Sequence, residues 1–153
     1  MTGDQLRQAR VKRRWTQQQA ARRLAVSQAY LSMLEMDQRR VPEALAGRLR
    51  RAYDLPATAL PLRSPDQWPK RLDPDRLAHA LAALGYPGFA YLRSRAALNP
   101  AELLLRALAE PDLDSRLAEA LPWVVLTYPD MNWDWLLRTA RLCDLQNRLG
   151  FSV

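Results

Sequence analysis

Two helix-start signals in the stretch TQQQAARRLAVSQAYLSMLE, residues 16–35, restrict the fold more than any other part of the chain. Thr16, with Gln19 three residues on, has the capping-box pattern: hydroxyl and amide each take up a backbone N–H that a helix start leaves unpaired. A short helix is expected from there through Leu24. Ser27 caps another, ending near Glu35. Only Ala25 and Val26 separate them, room for a tight turn and nothing more. On a wheel of about 100° per residue, Gln28, Ala29, Ser32 and Met33 fall in one sector of about 140°, with Ser27, Leu31 and Leu34 opposite. One side packs and the other is presented.

The rest of the chain reads as helix too. Apolar residues recur at three and four, β-branched residues are scarce, and no convincing strand is present. A first helix is expected from Asp4 to Arg14, and Pro42 is read as the first position of a fourth, to about Tyr53. Between Pro56 and Pro74 the prolines are too frequent for a continuous helix. That stretch is expected to hold a closing turn at 57–60 and then a semi-rigid linker. Beyond it, Asp73 and Pro74 open a helix that Gly85 stops. Asn99 with Glu102 suggests a second capping box. Further helices are expected over Asp112–Leu121 and Trp133–Leu149, with Gly150 ending the last. The fold class is all-α: residues 1–60 form one helical domain, 61–73 a Pro-rich linker and 74–153 a second small helical domain.

Charge divides along the same line. Of the 23 Lys and Arg, 12 lie in residues 1–55 with 5 of the 16 Asp and Glu, and the remainder holds 11 of each. The whole surplus of +7 therefore belongs to the first third, as in a segment that faces a polyanion. One cysteine, Cys143, forms no internal disulfide and reads as a packed helical residue. One histidine, His79, supplies no metal cluster, and Ser-His or Cys-His catalysis lacks its parts. The chain is expected to be no enzyme and to need no cofactor. No apolar run reaches the roughly 20 residues of a membrane span, and the N-terminus lacks the apolar core of a signal peptide, so a cytoplasmic protein is expected.

These residues resemble a known family, the phage-repressor-like helix-turn-helix domains of the Cro or XRE type. The resemblance covers roughly residues 4–55. It is carried by LRQAR, by WTQQQAARRLAVSQAYLSMLE and by VPEALAGRLRRAYDL. It implies a lambda-repressor-like bundle that binds a double-stranded DNA operator as a homodimer. By position in the motif, Gln17 and Ser27 are phosphate contacts. Gln28, Ala29 and Met33 read bases, with Ser32 beside them. A glutamine amide matches adenine bidentately, and an alanine methyl meets that of thymine. Arg39 and Arg40 are backbone contacts, and Tyr30 either contacts phosphate or packs. Arg22 and Arg23 read as a solvated face. Arg10 and Glu35 match a structural ion pair. Departures from the pattern are Ala20 in place of leucine, Ala25 in place of the turn glycine, and Met36-Asp37 where glycine follows the glutamate. A left-handed Ala25 costs on the order of 1 kcal/mol, and Asp37 bears that region better.

Residues 74–153 carry no motif by which a family is recognised. Trp123, Tyr128, Trp133 and Trp135 crowd into a short segment, as core or as a partner interface. Asp114 and Asp134 read as helix-start residues. Two functional classes fit this layout. One is a transcriptional regulator, most simply a repressor; the other is an antitoxin-type protein whose C-terminal unit neutralises a cognate toxin while it regulates its own operon.

Overall fold

The computed structural model describes residues 1–69 and 73–150. Its chain divides into two compact units, Met1–Pro61 and Leu62–Val153. All regular elements among the described residues are helical.

The first unit comprises α1 (Gly3–Lys12), α2 (Gln17–Leu24), α3 (Gln28–Glu35) and α4 (Glu43–Tyr53), then a 3-10 turn at Ala57–Ala59. Both expected caps are present: Thr16 Oγ1 accepts from Gln19 N at 3.1 Å, and Ser27 Oγ accepts from Tyr30 N at 3.1 Å. A further capping box, Thr2 with Gln5, starts α1 one residue earlier than expected. Pro42 is the N-cap and not the first helical residue. Its ψ of 150° is extended, so α4 begins at Glu43. Leu6, Leu24, Leu31, Leu34 and Leu49 are almost wholly buried and, with Leu45 and Tyr53, form one core to which all four helices contribute. Each such side chain contributes roughly 1.5–3 kcal/mol by leaving water.

The second unit comprises α5 (Pro74–Leu84), α6 (Pro100–Ala109), α7 (Ser115–Thr127), α8 (Trp133–Leu142) and α9 (Gln146–Gly150), with 3-10 turns at Pro65–Gln67 and Pro87–Phe89. Every residue of α6 from Pro100 to Leu108 is buried. Its two charged residues, Glu102 and Arg106, are buried with the apolar ones and pair with each other, so the whole helix sits inside. The others surround it. Asp73 caps α5, and Gly85 ends it at φ 96°, in the left-handed region that glycine enters freely.

Four expectations are corrected here. Glu102 completes no capping box: Asn99 Oδ1 alone caps α6, accepting from Ala101 N at 3.0 Å. The Glu102 carboxylate instead lies buried between Arg63 Nε at 2.9 Å and Arg106 Nη2 at 2.6 Å. Second, Arg63, expected in the linker, is thereby fixed to α6. Trp68 joins it, with Nε1 donating to Arg63 O at 3.0 Å and the Arg106 guanidinium 5.5 Å above its ring. Lys70, Arg71 and Leu72 of the expected linker lie outside the described residues. Third, α7 continues through Pro122 to Thr127. Proline in a helix costs about 3 kcal/mol, but Leu117, Ala120, Leu121 and Val124 are all buried on one face and hold the helix on. Fourth, the helix expected over Trp133–Leu149 breaks at Asp144, φ 56°. On an unbroken helix, Leu145 and Leu149 would sit about 180° and 220° round from Leu136. The break returns both to the core.

Candidate nucleic-acid interface

The presented side of α3 is set by what fixes its other side. Leu31 and Leu34 are buried at 0% and 1% exposure, and this pins the rotation of the helix about its axis. Gln28 and Ala29 are consequently exposed on the first turn, and Ser32 and Met33 half-exposed one turn on. The turn before α3 is built by Ala25, which adopts φ 51°, ψ 48° in place of the glycine usual to the motif. The residue after it, Val26, donates to Ala21 O at 3.0 Å and closes the end of α2. Arg48 Nη1 adds a bond to Leu24 O at 3.0 Å, tying α4 to the same helix end.

Glu35, at the end of α3, is the anchor of the domain. Its carboxylate takes Arg10 Nε at 2.6 Å and Arg10 Nη2 at 2.9 Å, a two-pronged pair. Gln17 Nε2 donates at 3.0 Å. The Glu35 side chain is 2% exposed. Burial alone pushes its carboxyl pKa up, but hydrogen bonds from Arg10 and Gln17 and the charges of Arg10 and Arg7 outweigh it, leaving the pKa below the ordinary 4.5. Arg10 Nη1 also donates to Trp15 O at 3.0 Å, so one guanidinium joins α1, the connection to α2 and α3. The expected structural pair is thus formed.

Gln17 sits at the start of α2, and the structure places its amide nitrogen on Glu35, a partner 18 residues away that local reading had not assigned. Ser27 is exposed, with its hydroxyl accepting the cap bond. The Tyr30 ring packs against the core. Arg39 and Arg40 follow α3 and are exposed. Arg23, read from sequence as part of a solvated face, lies 4.5 Å above the Trp15 ring, which itself meets Tyr53 at 5.9 Å. Arg13 and Arg14, just after α1, are exposed cations that the motif did not single out.

The N-terminus of α1 abuts the end of α3. Asp37, at φ 54°, accepts from Gly3 N at 2.7 Å. A Cβ on Gly3 would lie 2.5 Å from Glu35 O and 2.6 Å from Leu34 O. Only glycine allows that approach.

This arrangement is two short helices at a tight turn, the second outward on one face, with cations at its end. Residues 3–62 match the family model of a helix-turn-helix domain. The N-terminal unit is a helix-turn-helix domain of the Cro/XRE-like type. The helix-turn-helix domain marks the chain as a DNA-binding regulator. No curated protein and no solved structure was found to match the chain.

In the second unit, Trp123 and Tyr128 are engaged internally. Tyr128 Oη donates to Leu84 O at 2.7 Å, and its ring stands edge-on to Trp123 at 6.2 Å. Trp123 in turn meets Tyr86 at 5.3 Å, and Tyr86 meets Phe89 at 5.6 Å. Trp133 Nε1 donates to Pro129 O at 2.9 Å, and Trp133 and Trp135 are half-buried. Asp114 caps α7, and Asp134 lies in the first turn of α8. Cys143 closes α8 half-buried, and burial pushes its thiol pKa up. Among the described residues no group of His, Cys, Asp and Glu is placed to hold a metal ion. None of their helices is long and apolar enough to cross a membrane.

Proposed function

We propose that the protein is a sequence-specific transcriptional repressor, without enzymatic activity, that occupies a two-fold operator in cytoplasmic double-stranded DNA as a homodimer. The observation that carries this reading is the neutral, exposed Gln28/Ala29 edge of α3, held outward by Leu31, Leu34 and the Glu35–Arg10 pair, with Arg39 and Arg40 exposed beyond it. Gln28 and Ala29 read base edges in the major groove, Ser32 and Met33 flank them, and the arginines hold phosphates. Dimerisation is supported by the exposed apolar side chains of the second unit, Leu126 at 79%, Leu137 at 47% and Leu142 at 82%. Half-sites then lie about 10 base pairs apart, or a multiple of that.

The test is a footprint and gel shift on the DNA upstream of the protein's own gene. Gln28→Ala should cost about 1–3 kcal/mol and relax preference at one base pair. Arg40→Ala should weaken cognate and random duplex alike and flatten the salt dependence. Equal losses on both duplexes for both variants would defeat this division of roles. The same exposed leucines favour a second reading, in which the C-terminal unit captures a toxin encoded beside it. A monomeric chain that binds the purified product of a neighbouring gene would select that reading.

A further inference from the structure

The second unit has no net charge, yet one of its segments is locally basic. Between Arg76 and Glu102 the only Asp, Glu, Lys or Arg are Arg93 and Arg95. Both are exposed, and neither forms an ion pair among the described residues. Exposure alternates along the segment: Tyr91, Arg93 and Arg95 are exposed, Leu92 and Ser94 half-buried between them. Tyr91 is 70% exposed.

The segment is ordered by local bonds. Leu92 N donates to Phe89 O at 2.9 Å, Ser94 N to Leu92 O at 3.1 Å, and Ala96 N to Ser94 Oγ at 3.3 Å. The Tyr91 ring leans edge-on against Phe89 at 6.3 Å, and Phe89 is buried at the end of the Tyr86–Trp123–Tyr128 aromatic series. Two guanidinium groups that form no ion pair among the described residues, and an exposed phenol, are thus mounted on a packed base. Arginine matches phosphate oxygens bidentately, and tyrosine hydroxyls are regular backbone contacts on duplexes.

We infer that Tyr91, Arg93 and Arg95 form a second DNA-backbone contact, used when the helix-turn-helix domain is on its site. The inference rests on the proposed DNA-binding role. The covalent connection makes the second contact an intramolecular event, at an effective concentration in the millimolar range for short linkers, so even weak phosphate contacts add to affinity. The stripe carries no base-reading geometry and adds affinity independent of sequence.

The test uses the full-length chain, with equilibrium binding to the upstream DNA and to a random duplex between 50 and 200 mM salt. The paired variant is Arg93→Gln/Arg95→Gln; Arg76→Gln/Arg116→Gln, on exposed positions of α5 and α7, is the charge-matched control. Each lost phosphate contact lowers the log–log salt slope by about 0.9, so the stripe variant should lose about 1.8 of slope on both duplexes. Its deficit relative to wild type should then be about 12-fold larger at 50 mM than at 200 mM salt. Base preference should not change. An unchanged slope overturns the inference while leaving the proposed function intact, even if the stripe is then found to bind anionic lipid vesicles. An equal drop in the control also overturns it, by reducing the effect to net charge. Wild-type protein that binds neither duplex refutes the proposed function and this inference together.

Discussion

Arg10→Met tests the anchor of the helix-turn-helix domain. In the native unit the Glu35 carboxylate, 2% exposed, has three donors at 2.6, 2.9 and 3.0 Å, two of them from Arg10. Removing the guanidinium leaves a buried charge with only the Gln17 amide, which costs about 3–5 kcal/mol. A unit of some 60 residues has a total stability of roughly 3–9 kcal/mol at 0.05–0.15 kcal/mol per residue. The single variant should therefore be unfolded, or close to it, in its first unit. Arg10→Met/Glu35→Leu removes both charges and should recover most of the loss, because well-packed apolar replacements of buried pairs are close to neutral. The pH dependence separates this from simple loss of packing. In the wild type the Glu35 pKa is depressed, so its contribution is present above the ordinary value of 4.5 and lost as pH falls through the lower, folded-state value. In Arg10→Met, burial dominates and raises that pKa; the variant should gain relative stability on acidification, the opposite sign. Hydrogen exchange read by mass spectrometry on the full chain reports α1 to α4 separately from the second unit. A cost under about 1 kcal/mol, or a pH dependence that keeps the wild-type sign, would refute the argument.

Three further outcomes are expected in the same unit. Gly3→Ala forces a Cβ to within 2.5–2.7 Å of the Leu34 and Glu35 backbone; it should cost about 1–3 kcal/mol, seen as a lower thermal midpoint for the first unit. Ala25→Gly should raise stability by about 0.5–1 kcal/mol, because Ala25 is exposed at φ 51° and loses strain but no packing; denaturant melts at constant m-value measure it. Tyr53 has a buried hydroxyl with no hydrogen-bond partner among the described residues, and burial, with the Glu35 charge, pushes its pKa from 10.0 to about 12. A raised folded-state pKa means stability held below pH 10 and lost as pH rises toward 12. Tyr53→Phe should abolish that alkaline loss and stabilise the unit by up to about 1 kcal/mol at neutral pH, as pH-jump unfolding monitored by exchange would show.

The parts of this structure legible in sequence are those fixed by neighbours three or four residues away. Thr16 and Ser27 cap α2 and α3 because the bonds they satisfy lie within one turn, and the Leu31/Leu34 side of α3 follows from periodicity alone. The Gln28/Ala29 edge is legible for the same reason, as the complement of the packed side. Gln17 and Glu102 show where local reading stops. Gln17 stands at a helix start as an expected phosphate contact, and Glu102 at one as an expected capping-box residue. Each is drawn instead to a partner of opposite or complementary polarity at 18 and 39 residues' separation. A charge-assisted bond in a buried place outweighs a cap that water can replace.

The same competition explains the two helix ends at which the structure departs from the local pattern. Pro122 and Asp144 carry opposite local signals: proline argues for a stop and the QNRLG segment for continuation. Both signals lost to burial. Val124, at 0% exposure, keeps α7 helical past its proline, and Leu145 and Leu149 reach the core only if the chain turns left-handed between them and Leu136. The second case was recoverable from sequence, since a wheel drawn through Leu136 already sets both leucines on the wrong side. The first was not, because the gain that offsets about 3 kcal/mol of proline penalty lies in side chains of α5 and α6 whose position over α7 no local pattern records.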